Sequence, residues 1–297
     1  MNTREPVSQF LSAPDGLRLH ARVYGGGPDR AVPVVCLPGL TRNGSDFEDL
    51  AGTLASDPVQ PRRVIAIDYR GRGLSDRDRD PANYNLAIEL ADVLAIMTAL
   101  GVTPAVIVGT SRGGLIAMLM AALRPTAIAG VVLNDIGPVI EPKGLMRIKA
   151  YAGKLPQPKD ENDAADILRR LMSAQFPNLT ADDWRAYARR TFKAVNGTLS
   201  PTYDVRLSET LKSVTPDTPL PPMWPQFAAL SHLPVMVIRG ALSDILSAAT
   251  VEQMATRHPG LAVRVIEDQG HAPLLTDASS MDAIAEFVRR CDVDAVH

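Results

Sequence analysis

The chain has 297 residues, of which 46% are hydrophobic and 22% are charged, and its formal net charge is -2. This composition is typical of a globular protein with a large buried core. Nucleic-acid binders concentrate Lys and Arg on one surface, so the near-neutral balance without a basic tract argues against a nucleic-acid partner. The length is generous for one domain and short for two, which predicts one core with a sizeable insertion.

The N-terminal residues, the lengths of the apolar runs and the two cysteines bear on the cellular compartment of the protein. Residues Met1 to Phe10 are polar and contain no apolar region like that of a secretory signal, and no run reaches the length of a membrane span. Cys36 lies in an apolar run and Cys291 in a helical pattern, so they are expected to be packing thiols rather than a disulfide framework. We therefore expect a cytoplasmic location and no membrane association.

Strands and helices alternate along the first half of the chain. The predicted strands are 17–23, 32–37, 63–68, 106–108 and 129–133, and the predicted helices are 46–55, 84–100 and one that begins directly after Ser111. Such alternation predicts a mainly parallel, doubly wound α/β sheet that is covered on both faces.

The pattern changes after residue 138. Residues 139–225 are rich in Pro and helical in period, with no convincing buried strand. The expected helices there are 145–153, 160–174 and 182–194, the last with a capping box from Thr180 and Asp183. The alternation then resumes with strands 234–239 and 261–266 and helices 248–258 and 281–290. We therefore expect a core of residues 1–138 and 226–297 and an insertion of residues 139–225.

Ser111 occupies the turn between an apolar strand and a helix. Gly109 and Gly113 stand two residues to either side, which gives the pattern GxSxG. A chain that reverses this sharply admits only small neighbours, and the turn raises the serine hydroxyl beside the backbone N–H groups of a helix N-terminus. Ser111 is therefore the predicted nucleophile.

Two further side chains follow later strands of the predicted sheet. Because strand exits of a parallel sheet meet at one edge, Asp244 and His271 are expected to reach Ser111. A histidine is the base that a serine needs near neutral pH, and a carboxylate orients the imidazole. Asp135 also follows a strand, but we favour Asp244 as the acid and assign Asp135 a structural role as the counterion of Arg112.

Three motifs resemble the α/β-hydrolase superfamily over nearly the whole chain. They are the elbow at 109–114, the loop Asp-Tyr-Arg-Gly-Arg-Gly-Leu-Ser at 68–75 and the turn Gly-His-Ala-Pro at 270–273. The resemblance implies an α/β-hydrolase fold, a helical cap formed by the insertion, and an oxyanion hole made by the backbone N–H groups of Leu40 and Arg112. Pro38 stands where that family commonly has histidine. The resemblance implies no cofactor, and the spacing of the histidines suggests no metal site.

These residues predict a serine hydrolase of carboxylic esters that resembles capped bacterial carboxylesterases, with tolerance for polyesters as an extension. Its expected partner is a small-molecule ester, and the oligomeric state is left open. One alternative is a carbon–carbon bond hydrolase of aromatic ring-cleavage products, which would need a cation such as Arg112, Lys143 or Arg147 for the substrate carboxylate. Another is a non-enzymatic ligand receptor on the same fold.

The insertion also contains apolar residues that could line an acyl pocket. We assign most of them to the core, because apolar side chains at helical spacing are usually packed there. They are Met146, Tyr151, Leu155, Trp184, Phe192, Met223, Trp224 and Phe227.

Overall fold

The computed structural model describes residues 5–26, 31–216 and 220–294. Its strands are β1 (Val7–Ser12), β2 (Arg18–Tyr24), β3 (Val34–Leu37), β4 (Val64–Asp68), β5 (Ala105–Thr110), β6 (Ile128–Asn134), β7 (Phe192–Val195), β8 (Thr198–Pro201), β9 (Val235–Gly240) and β10 (Ala262–Ile266). Eight of them form one sheet in the order β1-β2-β4-β3-β5-β6-β9-β10. The sheet is parallel from β4 to β10, whereas β1 and β2 join it antiparallel.

Nine helices accompany the strands within the described residues. They are α1 (Glu48–Ala55), α2 (Leu86–Ala99), α3 (Arg112–Leu123), α4 (Pro142–Tyr151), α5 (Glu161–Met172), α6 (Ala181–Thr191), α7 (Trp224–Ala228), α8 (Ala248–Arg257) and α9 (Ala278–Asp294). Over the same residues, no helix is both long enough and apolar enough to cross a membrane.

The central strands are buried on both faces. Alternate residues of a strand point to opposite sides, so Val35 and Ile107 pack into one apolar cluster while Val34 and Val106 pack into another. Helices α2 and α3 supply the first cluster, and α1 and α9 supply the second. This arrangement confirms the predicted doubly wound sheet and its α/β-hydrolase fold.

The first strand was not predicted. None of the residues of β1 is buried, and Val7 and Phe10 are 59% and 49% exposed. It is held by antiparallel pairing with β2 along its whole length, from Val7 opposite Val23 to Ser12 opposite Arg18. Backbone pairing of this kind leaves little trace in the hydrophobic pattern.

The segment between β6 and β9 contains the three expected helices, and the capping box of Thr180 and Asp183 is present. It also contains two strands that were not predicted, because β7 and β8 form a small antiparallel hairpin that is mostly exposed. Residues 1–4, 27–30 and 295–297 of the expected core, and 217–219 of the expected insertion, lie outside the described residues.

Two polar side chains are buried that were not predicted to lie in the core. His20 is fully buried, and its Nδ1 lies 2.7 Å from Asp68 Oδ2. Arg62 is 1% exposed and donates to both carboxylate oxygens of Asp292. Each is a buried polar group with a hydrogen-bonded partner distant in sequence, which a local pattern cannot reveal.

Candidate active site

Ser111 lies on a sharp turn between β5 and α3. Its φ of 52° and ψ of -112° lie outside the usual regions for a residue with a side chain. A Cβ added to Gly109 would lie 2.5 Å from the carbonyl carbon of Gly113, and one added to Gly113 would lie 2.1 Å from Leu37 O. Both glycines are therefore required by close backbone contacts, as the sequence predicted.

His271 lies in the loop that follows β10. Its Nε2 is 2.8 Å from Ser111 Oγ, and its Nδ1 is 2.7 Å from Asp135 Oδ2. Because a carboxylate only accepts hydrogen bonds, Nδ1–H donates to Asp135 and Nε2 is left to accept from the serine hydroxyl. The imidazole thus has the tautomer that a general base requires.

Asp135 is the first residue after β6 and is fully buried, with φ 54°. Its Oδ1 accepts from Gly240 N at 2.9 Å, and its Oδ2 accepts from Ser243 Oγ as well as from the histidine. These bonds hold a charged carboxylate in a dry site and aim it at His271 Nδ1.

The prediction that Asp244 lies against His271 is wrong. Asp244 instead forms a bidentate ion pair with Arg147 of α4, with both N–O distances at 2.7 Å. Although partial burial raises the pKa of Asp244, hydrogen bonds from Arg147 outweigh it and hold that pKa below its usual value. Asp135 directly follows β6, which is the neighbour of β5 in the sheet. Asp244 lies four residues after the end of β9, which is one strand further from β5.

The expected pairing of Asp135 with Arg112 is also wrong. Arg112 Nε donates to Glu89 Oε2 at 2.5 Å, and Glu89 is fully buried on α2. The other oxygen of Glu89 accepts from Arg72 Nη1 at 2.7 Å, and Arg72 Nε donates to Leu40 O at 2.9 Å. The carboxylate of Glu89 therefore binds Arg112 directly and is linked to Leu40 through Arg72. Leu40 and Arg112 are the two residues of the predicted oxyanion hole. Sequence analysis did not identify Glu89.

Leu40 and Arg112 lie where the oxyanion hole was expected. Arg112 is the first residue of α3, so its N–H has no partner inside the helix. A Cβ added to Gly39 would lie 3.9 Å from Ser111 Cβ, and Leu40 lines the same two cavities as Ser111 does. Both residues thus border the nucleophile.

Two cavities border Ser111. The larger has a volume of about 830 Å³ and is mainly apolar, with a lining that includes Leu115, Ile136, Ile140, Leu145, Ile148 and Val214. The smaller, of about 70 Å³, is lined by His271 together with Arg42 and the three tyrosines Tyr151, Tyr187 and Tyr203. The two cavities that border Ser111 therefore differ in size, and the smaller has the more polar lining.

The residues considered for an acyl pocket separate into three groups. Met146, Met223 and Trp224 are partly buried and pack against the core. Tyr151 and Leu155 line the smaller cavity. Trp184, Phe192 and Phe227 are buried in apolar clusters. In the part of the chain that the structure describes, no three His, Cys, Asp or Glu side chains are placed to hold a metal ion.

Known proteins match this chain over most of its length. The family model for the alpha/beta hydrolase fold matches residues 32–278. The 3-hydroxybutyrate-oligomer hydrolase of Cupriavidus necator is 32% identical over 282 residues, which is 93% of this chain and 94% of that protein. The 2-(acetamidomethylene)succinate hydrolase of Mesorhizobium japonicum is 27% identical over 274 residues, 92% of each chain. The crystal structure of an alpha/beta hydrolase from Novosphingobium aromaticivorans superposes with a TM-score of 0.89 at 40% identity, covering 96% of this chain and 99% of that one.

Proposed function

The chain belongs to the α/β-hydrolase family, and from that premise we propose that it is a serine hydrolase that cleaves carboxylic esters. The observation that carries the proposal is the continuous hydrogen-bonded series from Ser111 Oγ through His271 to Asp135. This series replaces the one predicted from sequence, in which Asp244 was the acid.

In the proposed reaction Ser111 Oγ attacks the ester carbonyl carbon while His271 Nε2 takes its proton. The carbonyl oxygen becomes an oxyanion, which the N–H groups of Leu40 and Arg112 stabilise. The imidazolium then gives its proton to the leaving alkoxide, and the acyl group remains on Ser111. Water, activated by His271, hydrolyses the acyl-enzyme in a second round of the same steps.

The location of His271 suggests which half of the ester enters which cavity. The imidazole must deliver its proton to the leaving oxygen, so the alcohol half lies on the side where His271 lines the smaller cavity. The acyl half then occupies the larger, apolar cavity. Helix α4 of the insertion covers that cavity with Leu145 and Ile148, which supports the proposal that the insertion is a cap.

The charges around the larger cavity favour a neutral acyl group. Arg112 lines it but is paired with Glu89, and the acidic residues Asp80 and Glu209 also line it. Arg147 is paired with Asp244, and Lys143 is exposed. A carboxylate on the acyl half would therefore lose its hydration without gaining a free cation. This disfavours the alternative of a carbon–carbon hydrolase, although the relative from M. japonicum is named for a succinate derivative.

The smaller cavity favours a polar alcohol half. Three tyrosine side chains line it and supply hydroxyl groups. Arg42 also lies there, with its Cζ 4.3 Å from the centroid of the Tyr187 ring, although it is paired with Asp46 as Arg112 is with Glu89. An oligomer of a hydroxy acid is a series of esters in which the leaving hydroxyl belongs to a unit that carries a carboxyl group. The name of the relative from C. necator thus supports short hydroxy-acid esters as substrates.

Three esters test the proposal. Ethyl butanoate is neutral, monoethyl succinate carries a carboxylate on the acyl half, and its isomer butanoyloxyacetate carries one on the alcohol half. Each kcat/KM is measured by acid release at constant pH and divided by the rate constant for hydrolysis by hydroxide. We expect ethyl butanoate to exceed monoethyl succinate by at least about tenfold, and butanoyloxyacetate to exceed its isomer by a similar factor.

The variants separate the possible outcomes. Ser111→Ala should abolish all three activities, and Arg42→Gln should lower kcat/KM for butanoyloxyacetate but not for ethyl butanoate. A tenfold preference for monoethyl succinate that disappears in Arg147→Met would instead favour the carbon–carbon hydrolase. If no ester is cleaved and Ser111 resists acylation, the chain is a receptor and the proposed function is wrong.

A further inference from the structure

Gln175 belongs to the insertion but contacts the loop that carries His271. It lies between α5 and α6 and is 9% exposed. Its main-chain O accepts from Gly270 N at 2.6 Å, and its side-chain Oε1 accepts from His271 N at 2.8 Å. One residue thus binds two consecutive backbone N–H groups in the histidine loop.

The contact between Gln175 and the histidine loop is close enough to explain why residue 270 is glycine. A Cβ added to Gly270 would lie 2.1 Å from Gln175 Oε1 and 2.7 Å from its Cδ. Gln175 is itself held, because its N donates to Met172 O at 2.9 Å at the end of α5. The backbone of Gln175 is therefore anchored to the end of α5 as well as to the loop that it contacts.

The histidine loop is also held from the core. Asn134 Nδ2 donates to Pro273 O at 2.9 Å, on the far side of His271 from Gly270. The imidazole must keep both Nε2 on Ser111 and Nδ1 on Asp135, and a reacting group displaced by about 1 Å loses on the order of 10²-fold in rate. Fixing the backbone at both sides of His271 limits such displacement.

We propose that Gln175 is a positioning residue for His271, so that the base is held in its active geometry only while this part of the insertion is docked on the loop. The inference rests on the proposed function, because it assigns Gln175 a role through the proposed base. It also makes a contact between insertion and core part of the catalytic geometry.

The same loop offers a matched control. Asn178 Nδ2 of the insertion donates to Asp268 Oδ2 at 2.8 Å, three residues before His271. Asn178 and Gln175 therefore join the same two segments, but only Gln175 touches the backbone of the histidine. If the contact served only to attach the insertion, loss of either bond would have the same kind of effect.

Three variants test the proposal with ethyl butanoate as substrate. Gln175→Met keeps the side-chain volume and removes the acceptor, Gln175→Glu keeps an acceptor, and Asn178→Ala removes the control bond. We expect Gln175→Met to lower kcat on the order of 10²-fold with little change in KM. Asn178→Ala should leave kcat near that of the wild type, and Gln175→Glu should restore most of it.

The pH profile provides a readout that a merely structural contact would not move. The charged groups near the amide are Arg147, whose Nη2 is 3.5 Å from Gln175 Oε1, its partner Asp244, and Asp135 beside the imidazole. Arg147 and Asp244 compensate each other, so the added carboxylate of Gln175→Glu should favour the imidazolium. We expect the acidic limb of the kcat/KM profile to shift to higher pH in that variant.

The rate of phosphonylation of Ser111 separates failure of this inference from failure of the proposed function. That reaction needs the base but no particular ester, so it should slow in Gln175→Met even if the ester substrates were wrongly chosen. Equal losses of kcat in Gln175→Met and Asn178→Ala would overturn the inference, as would a change in KM alone. If Gln175→Met fails to fold, the test is the pH profile of kcat/KM for Gln175→Glu. A profile identical to that of the wild type would overturn the inference.

Discussion

Asp135 Oδ2 lies 2.7 Å from His271 Nδ1, in a site where the carboxylate is fully buried. The contact joins the residue after β6 to the loop after β10. Strand β9 lies between these two strands in the sheet. A buried carboxylate at this distance holds the imidazole in one tautomer and stabilises its charged form.

Removal of that charge should impair the chemical step. We expect Asp135→Asn to lower kcat on the order of 10⁴-fold, because an amide in this place favours the wrong tautomer of His271. Asp244→Asn is the matched control, since Asp244 binds Arg147 instead. Steady-state kinetics and urea unfolding of both variants check this. The assignment fails if Asp244→Asn suffers the greater loss of kcat while remaining folded.

The contact between Ser111 and His271 could be predicted from sequence because local rules place both residues. Ser111 needs small residues two positions away, and His271 follows the last strand. The acid could not be chosen in this way, because Asp135 and Asp244 both follow strands. The choice depends on the order of strands in the sheet and on Arg147, which pairs with Asp244 across 97 positions of sequence.

The contacts that support the site were missed for a related reason. Glu89 lies on a helix that reads as amphipathic, and nothing in its neighbourhood shows that two arginines from other segments converge on it. Gln175 is likewise an ordinary polar residue between two helices. Long-range pairing of buried polar groups is decided by tertiary structure, which local periodicity does not contain.

Covalent labelling should distinguish Ser111 from a second serine that also contacts a histidine. Ser8 Oγ lies 3.0 Å from His20 Nε2, and His20 Nδ1 is bonded to Asp68. Ser8 lies within the edge strand β1, whereas Ser111 directly precedes the N-terminus of α3, whose N–H groups can stabilise an oxyanion. We expect an organophosphonate to modify Ser111 alone, as checked by peptide mass spectrometry. An adduct on Ser8 that persists in Ser111→Ala would contradict this.

The buried pair of Asp68 and His20 should make stability depend on pH. Burial raises the pKa of Asp68, but hydrogen bonds from His20 and Leu74 and the charge of Arg22 outweigh it and lower that pKa. A carboxylate with a lowered pKa stabilises the fold above the pKa of the unfolded chain, about 4, and this stabilisation is lost as the pH falls through the folded-state pKa.

Asp68→Asn tests that dependence. The variant should have a smaller free energy of unfolding than the wild type at pH 7, and the difference should shrink as the pH is lowered from about 5 towards 3. Urea unfolding at a series of pH values measures it. A difference that stays constant over that range would mean that Asp68 contributes through packing alone.

Glu89 connects stability to catalysis. It is fully buried, and its two oxygens bind Arg112 and Arg72, the second of which also has a fully buried side chain. Glu89→Gln would leave both guanidinium groups without a carboxylate, and breaking a buried pair in this way costs about 3–5 kcal/mol. Because Arg72 also donates to Leu40 O, the loop of the proposed oxyanion hole should shift as well.

We therefore expect Glu89→Gln to lower both the free energy of unfolding and kcat, the latter by up to about 10²-fold, since a lost oxyanion donor costs 10²–10³-fold. Asp92→Asn is the matched control. Asp92 lies on the same helix and pairs with the buried Arg70 at 2.7 and 2.8 Å, without contact to Leu40 or Arg112. It should lose stability with kcat unchanged. Equal losses of kcat in the two variants would show that buried charge on α2, and not support of the oxyanion loop, is what the activity needs.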